Sequence, residues 1–174
     1  MSDIIDNYAK SLFNSALSSN KLEKISSDLK NFIALMDQSI DLTRFFYSKA
    51  TSFVDKKLVI EKLAHNFDDI YTRFILLLAK NNRVKLLKKI QGNYQFYYRI
   101  QANIQAVKLT FANTPQSSEL EKFTKLLSET YNSAIELEVD VDSKLIAGVV
   151  LLLKNNNTLL DLSLAEQMKS LANK

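Results

Sequence analysis

The chain contains no cysteine, so disulfides, zinc–thiolate sites and thiol nucleophiles are excluded, and nothing in it reports on the redox state of its compartment. Its single histidine, His65, cannot build a multi-histidine metal site, and no partner for a catalytic dyad is indicated near it. Only two glycines, Gly92 and Gly148, are present, too few for a glycine-rich phosphate loop of the P-loop or Rossmann kind. With one proline, Pro115, the chain has few breakers and favours long helices. No apolar run approaches the roughly 20 residues needed to cross a bilayer. The first residues are acidic and already helical in pattern, unlike a signal or transit peptide. The expectation is a protein made and kept in solution, bacterial in preference to an imported organelle precursor.

What is there belongs to a globular protein of 174 residues, enough for one domain or two small ones. Hydrophobic residues make up 47% and charged residues 24%, which separates it from disordered chains. The net charge of +4 is unevenly spread. Residues 1–104 carry 16 Lys+Arg against 10 Asp+Glu, whereas residues 105–174 carry 7 against 9. A basic half and a slightly acidic half suggest two surfaces with different partners.

Hydrophobic period divides the chain in the same way. Ile4, Ile5, Tyr8, Leu12, Ala16 and Leu17 recur at three- and four-residue spacing, marking a first helix capped by Ser2 and ended by Ser18-Ser19-Asn20. A second helix runs from Lys21 with Leu22, Ile25, Leu29, Phe32 and Met36 inward. Asp41 reads as the cap of a short third helix, and Ser52 as the start of a fourth with Val54, Leu58 and Leu63 inside. The fifth, from Asp68, is apolar almost all round at Phe74-Ile75-Leu76-Leu77-Leu78, so something must cover its outer side. A sixth runs from Val84 toward Ala102. At Gln105 the period changes to alternation through Val107, Leu109 and Phe111, which predicts a strand. Pro115 stands where a helix can start, and Leu120, Phe123, Leu126, Leu127 and Tyr131 form its stripe.

Ile135-Glu136-Leu137-Glu138-Val139-Asp140-Val141 then alternates as a half-buried strand does. The apolar run from Leu145 to Leu153, the Asn155-Asn156-Asn157 turn and Thr158-Leu159-Leu160-Asp161 complete what reads as a small meander, with a last helix from Ser163. The predicted architecture is mainly α with a small α/β part: an N-terminal six-helix bundle over residues 1–104 and a smaller α/β domain over residues 105–174.

Two groups invite a chemical reading. Glu136, Glu138, Asp140 and Asp142 form an acidic row, but alternate residues of an exposed strand face are ordinarily solvated charge, and hard cations need oxygens converging from several elements. The segment Lys80 to Arg99 interleaves cations with Tyr94, Phe96, Tyr97 and Tyr98, types that bind phosphates and stack bases. It supports an alternative reading as a nucleic-acid-associated helical protein, although on a helix these aromatics fall mostly on the core stripe. No enzyme signature is present, and no cofactor or metal is implied.

Val141-Asp142-Ser143-Lys144-Leu145-Ile146-Ala147-Gly148-Val149, with Asp161-Leu162-Ser163 across a hairpin, resembles the C-terminal signature of the ATP synthase delta subunit family, called oligomycin sensitivity conferral proteins in mitochondria. Tyr8-Ala9-Lys10-Ser11-Leu12-Phe13 resembles that family's opening helix. Phe74-Ile75-Leu76-Leu77-Leu78-Ala79-Lys80-Asn81-Asn82-Arg83-Val84 resembles the end of its central helix. The resemblance implies a non-catalytic peripheral-stalk (stator) subunit of an F-type proton-translocating ATP synthase, joining the alpha/beta head to b-type stalk subunits and resisting rotor torque. It implies peripheral attachment at the cytoplasmic face of a bacterial inner membrane, or the matrix side in an organelle, and no nucleic acid. It further implies a groove between the first and fifth helices for the N-terminal segment of an alpha subunit, at Tyr8, Ser11, Leu12, Ser15, Phe74, Leu77 and Leu78. The stalk contact, or its structural support, is implied at Val139, Leu145, Ile146, Gly148 and Val149. Gly148 itself reads as a place of close backbone approach within the small domain.

Overall fold

Serine and aspartate open three of the helices, and asparagine follows the ends of four. The computed structural model describes residues 2–145, 149–154 and 158–161. Its helices are α1 (Ser2–Ser18), α2 (Leu22–Gln38), α3 (Ile40–Tyr47), α4 (Phe53–Leu63), α5 (Asp69–Lys80), α6 (Leu87–Gln101) and α7 (Ser117–Tyr131). Ser39, Ser52 and Asp68 each accept a backbone N–H of the first turn of α3, α4 and α5. The third cap therefore sits two residues ahead of Asp41, which lies instead in the first turn of α3, where the helix dipole favours its charge. Positive φ among the described non-glycine residues belongs to Asn20 (54°), Asn82 (53°), Asn103 (50°) and Asn132 (47°). A short amide side chain tolerates this left-handed conformation better than others, so asparagine replaces the missing glycines. After α1 and α5 it forms the same closure: Lys21 N–H donates to Ala16 O at 2.8 Å and Arg83 N–H to Leu78 O at 2.8 Å, satisfying carbonyls that the helix end would leave free.

The chain divides into two compact units, Met1–Tyr98 and Arg99–Lys174, each with its own core; the division falls inside α6, ahead of the change of period at Gln105. The fold is mainly α with a small α/β part. In the first unit the core is aromatic at its centre, where Phe32 meets Phe46 at 5.6 Å, Phe67 at 5.9 Å and Tyr71 at 6.0 Å between ring centroids. Each such ring, fully buried, contributes about 1.5–3 kcal/mol. α4 turns a different face inward from the one its sequence suggests. Val54 and Leu58 are 65% and 54% exposed, and the buried residues are Ile60 and Lys56. Apolar residues surround α4, so period alone does not choose a face. The Lys56 ammonium chooses it, donating to Ser48 O at 2.7 Å and to Asn82 Oδ1 at 3.1 Å.

The second unit is a four-stranded sheet of β1 (Ile104–Phe111), β2 (Ala134–Val141), β3 (Val149–Leu153) and β4 (Thr158–Asp161). Its order is β2-β1-β3-β4, with β2 parallel to β1 across α7, and β3 antiparallel to both β1 and β4. The expected meander is thus broken: β1 lies between β2 and β3, and only β3–β4 is a hairpin. The reason is burial. Val107, Leu109 and Phe111 on one face and Ala106 on the other are buried, which suits β1 to the middle, whereas β2 buries none of its residues and takes the edge. α7 starts at Ser117 with Gln116 as its cap, leaving Pro115 outside, and Leu126 of its expected stripe is 59% exposed. The last helix expected from Ser163, the Asn155–Asn157 turn, Ile146 and Gly148 lie outside the described residues.

Candidate partner-binding groove

α5 is held at its start by a small polar node. The Asp68 carboxylate accepts the Ile70 N–H at 2.9 Å and the Lys21 ammonium at 2.7 Å, while its own N–H donates to the buried Asp28 at 2.8 Å. The Lys21 hydrogen bond is the main cause that holds the Asp68 carboxyl below its usual range, against an opposing effect of burial. A carboxyl with a depressed folded pKa contributes stability that is complete above the unfolded value and is lost as pH falls through the folded one. Wild-type melting temperature should therefore fall as pH drops below about 4, and Asp68→Asn should flatten that fall; parallel thermal scans at stepped pH test it.

Against α5 lies α1, and between them opens a groove of about 440 Å3 lined by Ser11, Leu12, Ser15, Ser18 and Ser19 on one side and Ile70, Arg73, Phe74 and Leu77 on the other. Leu12 and Phe74 are buried in its floor, and Leu77 stands in it 46% exposed. The serine wall is low. Ser15 donates its hydroxyl to Ser11 O at 3.0 Å and Ser18 to Ser15 O at 3.1 Å, so these side chains fold back on their own helix. Among the lining residues Arg73 is the one charge, and there is no carboxylate. Apolar floor, small wall and basic corner together accommodate an amphipathic helix with anchors at three- and four-residue spacing.

Of the residues expected here, Ser11, Leu12, Ser15, Phe74 and Leu77 are brought together as lining. Leu78 is completely buried and supports the groove without facing it. Tyr8 lies beyond the lining. Its ring packs edge-on to Phe74 at 6.2 Å, its hydroxyl accepts from Arg83 at 2.9 Å and Asn81 at 3.2 Å, and the Arg83 guanidinium lies 5.7 Å from the ring centroid. Ile70 and Arg73 escaped the sequence reading. They continue the i, i+3, i+4, i+7 stripe of Phe74 and Leu77 toward the start of α5, which is the signal that could have found them.

The residues expected at the stalk contact scatter. Val139 stands on β2 opposite Leu109 and is 39% exposed, whereas Val149 is buried on β3 opposite Phe111. Leu145 is half-buried in the turn after β2, its N–H donating to Asp142 O at 3.0 Å. Three of the four acidic side chains in the row are paired in place, and Asp142 instead accepts the Lys144 N–H at 2.9 Å. Glu136 pairs with Arg99, Glu138 with Lys154, and Asp140 with Lys108 at 2.9 Å, the last contact raising the Lys108 ammonium and lowering the Asp140 carboxyl. Among the described residues no group of three or more His, Cys, Asp or Glu is arranged to hold a metal ion, and no helix is long and apolar enough to cross a membrane. Within the Lys80 to Arg99 segment Tyr94 is buried with its hydroxyl on Leu22 O, Tyr97 donates to Asp6 and Lys88 is paired with Asp37, which leaves Phe96, 41% exposed, as its most open ring.

Residues 4–174 match the family described as ATP synthase delta (OSCP) subunit. The ATP synthase subunit delta of Rickettsia prowazekii is 30% identical over 172 residues, 98% of this chain and 93% of the relative. That of Rickettsia felis is 30% identical over 151 residues, 86% of this chain and 82% of the relative. A chain of the Toxoplasma gondii mitochondrial ATP synthase hexamer shares the fold, with a TM-score of 0.78 at 23% identity over 97% of this chain and 95% of that one.

Proposed function

Because this chain belongs to the ATP synthase delta (OSCP) subunit family, we propose that its groove between α1 and α5 holds the N-terminal helix of an alpha subunit of the same enzyme. The chain is a peripheral-stalk subunit of the F-type ATP synthase, attached to the membrane-bound enzyme through the complex. It does no chemistry of its own in this reading. The helical unit takes the head, and the α/β unit takes the b-type stalk subunits, with Val139, Leu145, Ile146, Gly148 and Val149 as the residues assigned to that contact or to its support. Held at both ends, it keeps the head from turning with the rotor, on the cytoplasmic face of the bacterial membrane. Nucleic-acid binding by the Lys80 to Arg99 face is not supported.

One observation carries the groove reading: a half-exposed leucine, Leu77, stands over a buried apolar floor beside a wall of serines. Such a leucine gains about 1.5–3 kcal/mol when a partner covers it. Calorimetric titration tests this with a peptide of about 20 residues copied from the alpha subunit N-terminus of the same organism, long enough for a ~30 Å helix. The expected result is one-to-one binding that changes little with ionic strength, because apolar contact is not screened. A folded protein that ignores the peptide would remove the groove from the function.

A further inference from the structure

Beyond the end of α5, on the far side of Tyr8 from the serine wall, Lys49, Asn81, Asn82, Arg83 and Lys85 surround a separate pocket of about 480 Å3, with Ile4 and Leu86 as its apolar walls. From its donors we infer a binding site for the phosphate groups of a small polyvalent anion, of the pyrophosphate or nucleoside di- and triphosphate class. This goes beyond the helix-binding reading and does not depend on it.

Charge is the first argument. Some cations of the helical unit are held by carboxylates, as Lys21 is by Asp68, Lys24 by Asp28 and Lys88 by Asp37. Among the described residues none of Lys49, Arg83 and Lys85 has such a partner, yet the fold gathers all three at one opening. An unneutralised group of this kind concentrates positive potential in a concave, partly desolvated place, where anions are attracted most strongly.

Donor direction is the second argument. Lys56 is 1% exposed and its ammonium donates a hydrogen bond to Asn82 Oδ1 at 3.1 Å, which occupies the acceptor end of that amide. The Asn82 NH2 is left to donate. Asn82 is one of the left-handed residues, so the backbone turn and the buried lysine fix its side chain together. Arg83 spends one nitrogen on the Tyr8 hydroxyl at 2.9 Å, and the remaining N–H groups of its fork stay available. A planar fork, two mobile ammonium groups and an amide suit tetrahedral, multiply charged oxyanions better than a single carboxylate, which cannot engage donors from so many directions. The volume exceeds what one phosphate fills, and Ile4 and Leu86 provide a surface for a nucleoside.

The test titrates the full chain with pyrophosphate, ATP and inorganic phosphate in turn, at fixed ionic strength, with phosphorus NMR or calorimetry as the readout. Pyrophosphate and ATP should each saturate one site. Lys49 and Lys85 are exposed, so a Lys49→Ala/Lys85→Ala protein keeps its fold, and its affinity should drop by about tenfold or more. Lys30→Ala/Lys62→Ala removes the same charge elsewhere and should change affinity by less than about twofold. Leu77→Asp should leave phosphate binding intact, which separates this site from the groove. ATP gaining over pyrophosphate, and losing that gain on Ile4→Ser, would identify the nucleoside as the source of the phosphate; equal binding would identify the phosphate chain alone. Equal losses in the two double variants would overturn the site as general charge attraction. Capture of a glutamate-rich peptide without any binding of pyrophosphate would overturn it in favour of an acidic protein segment.

Discussion

Leu77→Asp is expected to weaken capture of the alpha-subunit helix by about 100-fold or more while leaving the melting temperature within about 2 °C of wild type. Neighbouring Leu78→Ala should do the reverse, costing about 2–5 kcal/mol of folding stability. The two leucines are adjacent in sequence and about 100° apart around the same helical turn. Leu77 stands in the groove 46% exposed, so a carboxylate there is hydrated in the free protein and must be desolvated only when an apolar partner arrives. Leu78 has no exposed surface, and truncating it leaves a cavity that the surrounding core side chains cannot fill without moving. Peptide titration and thermal unfolding on both variants separate a reading surface from its support. If Leu77→Asp bound the peptide like wild type, the groove would not be where the helix sits, whatever the family relationship.

That pair also marks how far sequence reaches. The stripe of α5 told which residues are apolar, and its excess told that something more than the core must cover them; it did not divide Leu77 from Leu78. Division required knowing where α1 lies against α5, a long-range fact to which the edge-on contact of Tyr8 with Phe74 contributes. The starts of α4 and α5 were legible because capping residues act locally, at Ser52 and Asp68 as the sequence indicates. Ser39 and Asp41 compete at one start, and the winner is the residue whose backbone is extended there. α4 was misread for a different reason: its inward face is chosen by a lysine, and hydrophobic pattern treats a lysine as solvent-facing. Local pattern likewise identified β1 and β2 as strands, with β2 half-buried, but neighbour relations in a sheet are not local. The crossover through α7 put β1 between two strands that are consecutive in the chain. In the acidic row the charges were visible, but their partners, Arg99, Lys108 and Lys154, come from three other places along the chain.

Asp28→Ala is expected to cost about 2–4 kcal/mol, more than any single surface ion pair could, because Asp28 is a buried junction and more than half of a salt bridge. Its carboxylate has no exposed surface; one oxygen accepts Lys24 at 2.7 Å and the other the Asp68 N–H at 2.8 Å. Lys24 is half in water and loses little when released. The Asp68 N–H has no such escape, since it belongs to the residue that caps α5 and points into the interface with α2. Alanine therefore strands a donor at the start of the helix that forms one wall of the groove. Asp28→Asn keeps an oxygen for that N–H and removes the buried charge, so it should cost less than the alanine variant, whereas Lys24→Met leaves the carboxylate buried without its cation and should cost more than the asparagine variant. Burial, followed by the Asp28 charge, pushes the neighbouring Tyr71 hydroxyl well above its usual range, and Asp28→Asn should relieve the second of these. Urea unfolding of the three variants gives the ranking, and amide exchange at Ile70 and Tyr71 shows whether the loss begins at the start of α5. Should Asp28→Ala unfold at the wild-type urea concentration, the junction between α2 and α5 is held by the aromatic core alone. The groove would then owe its shape to Phe32 and Tyr71 and nothing to the polar node.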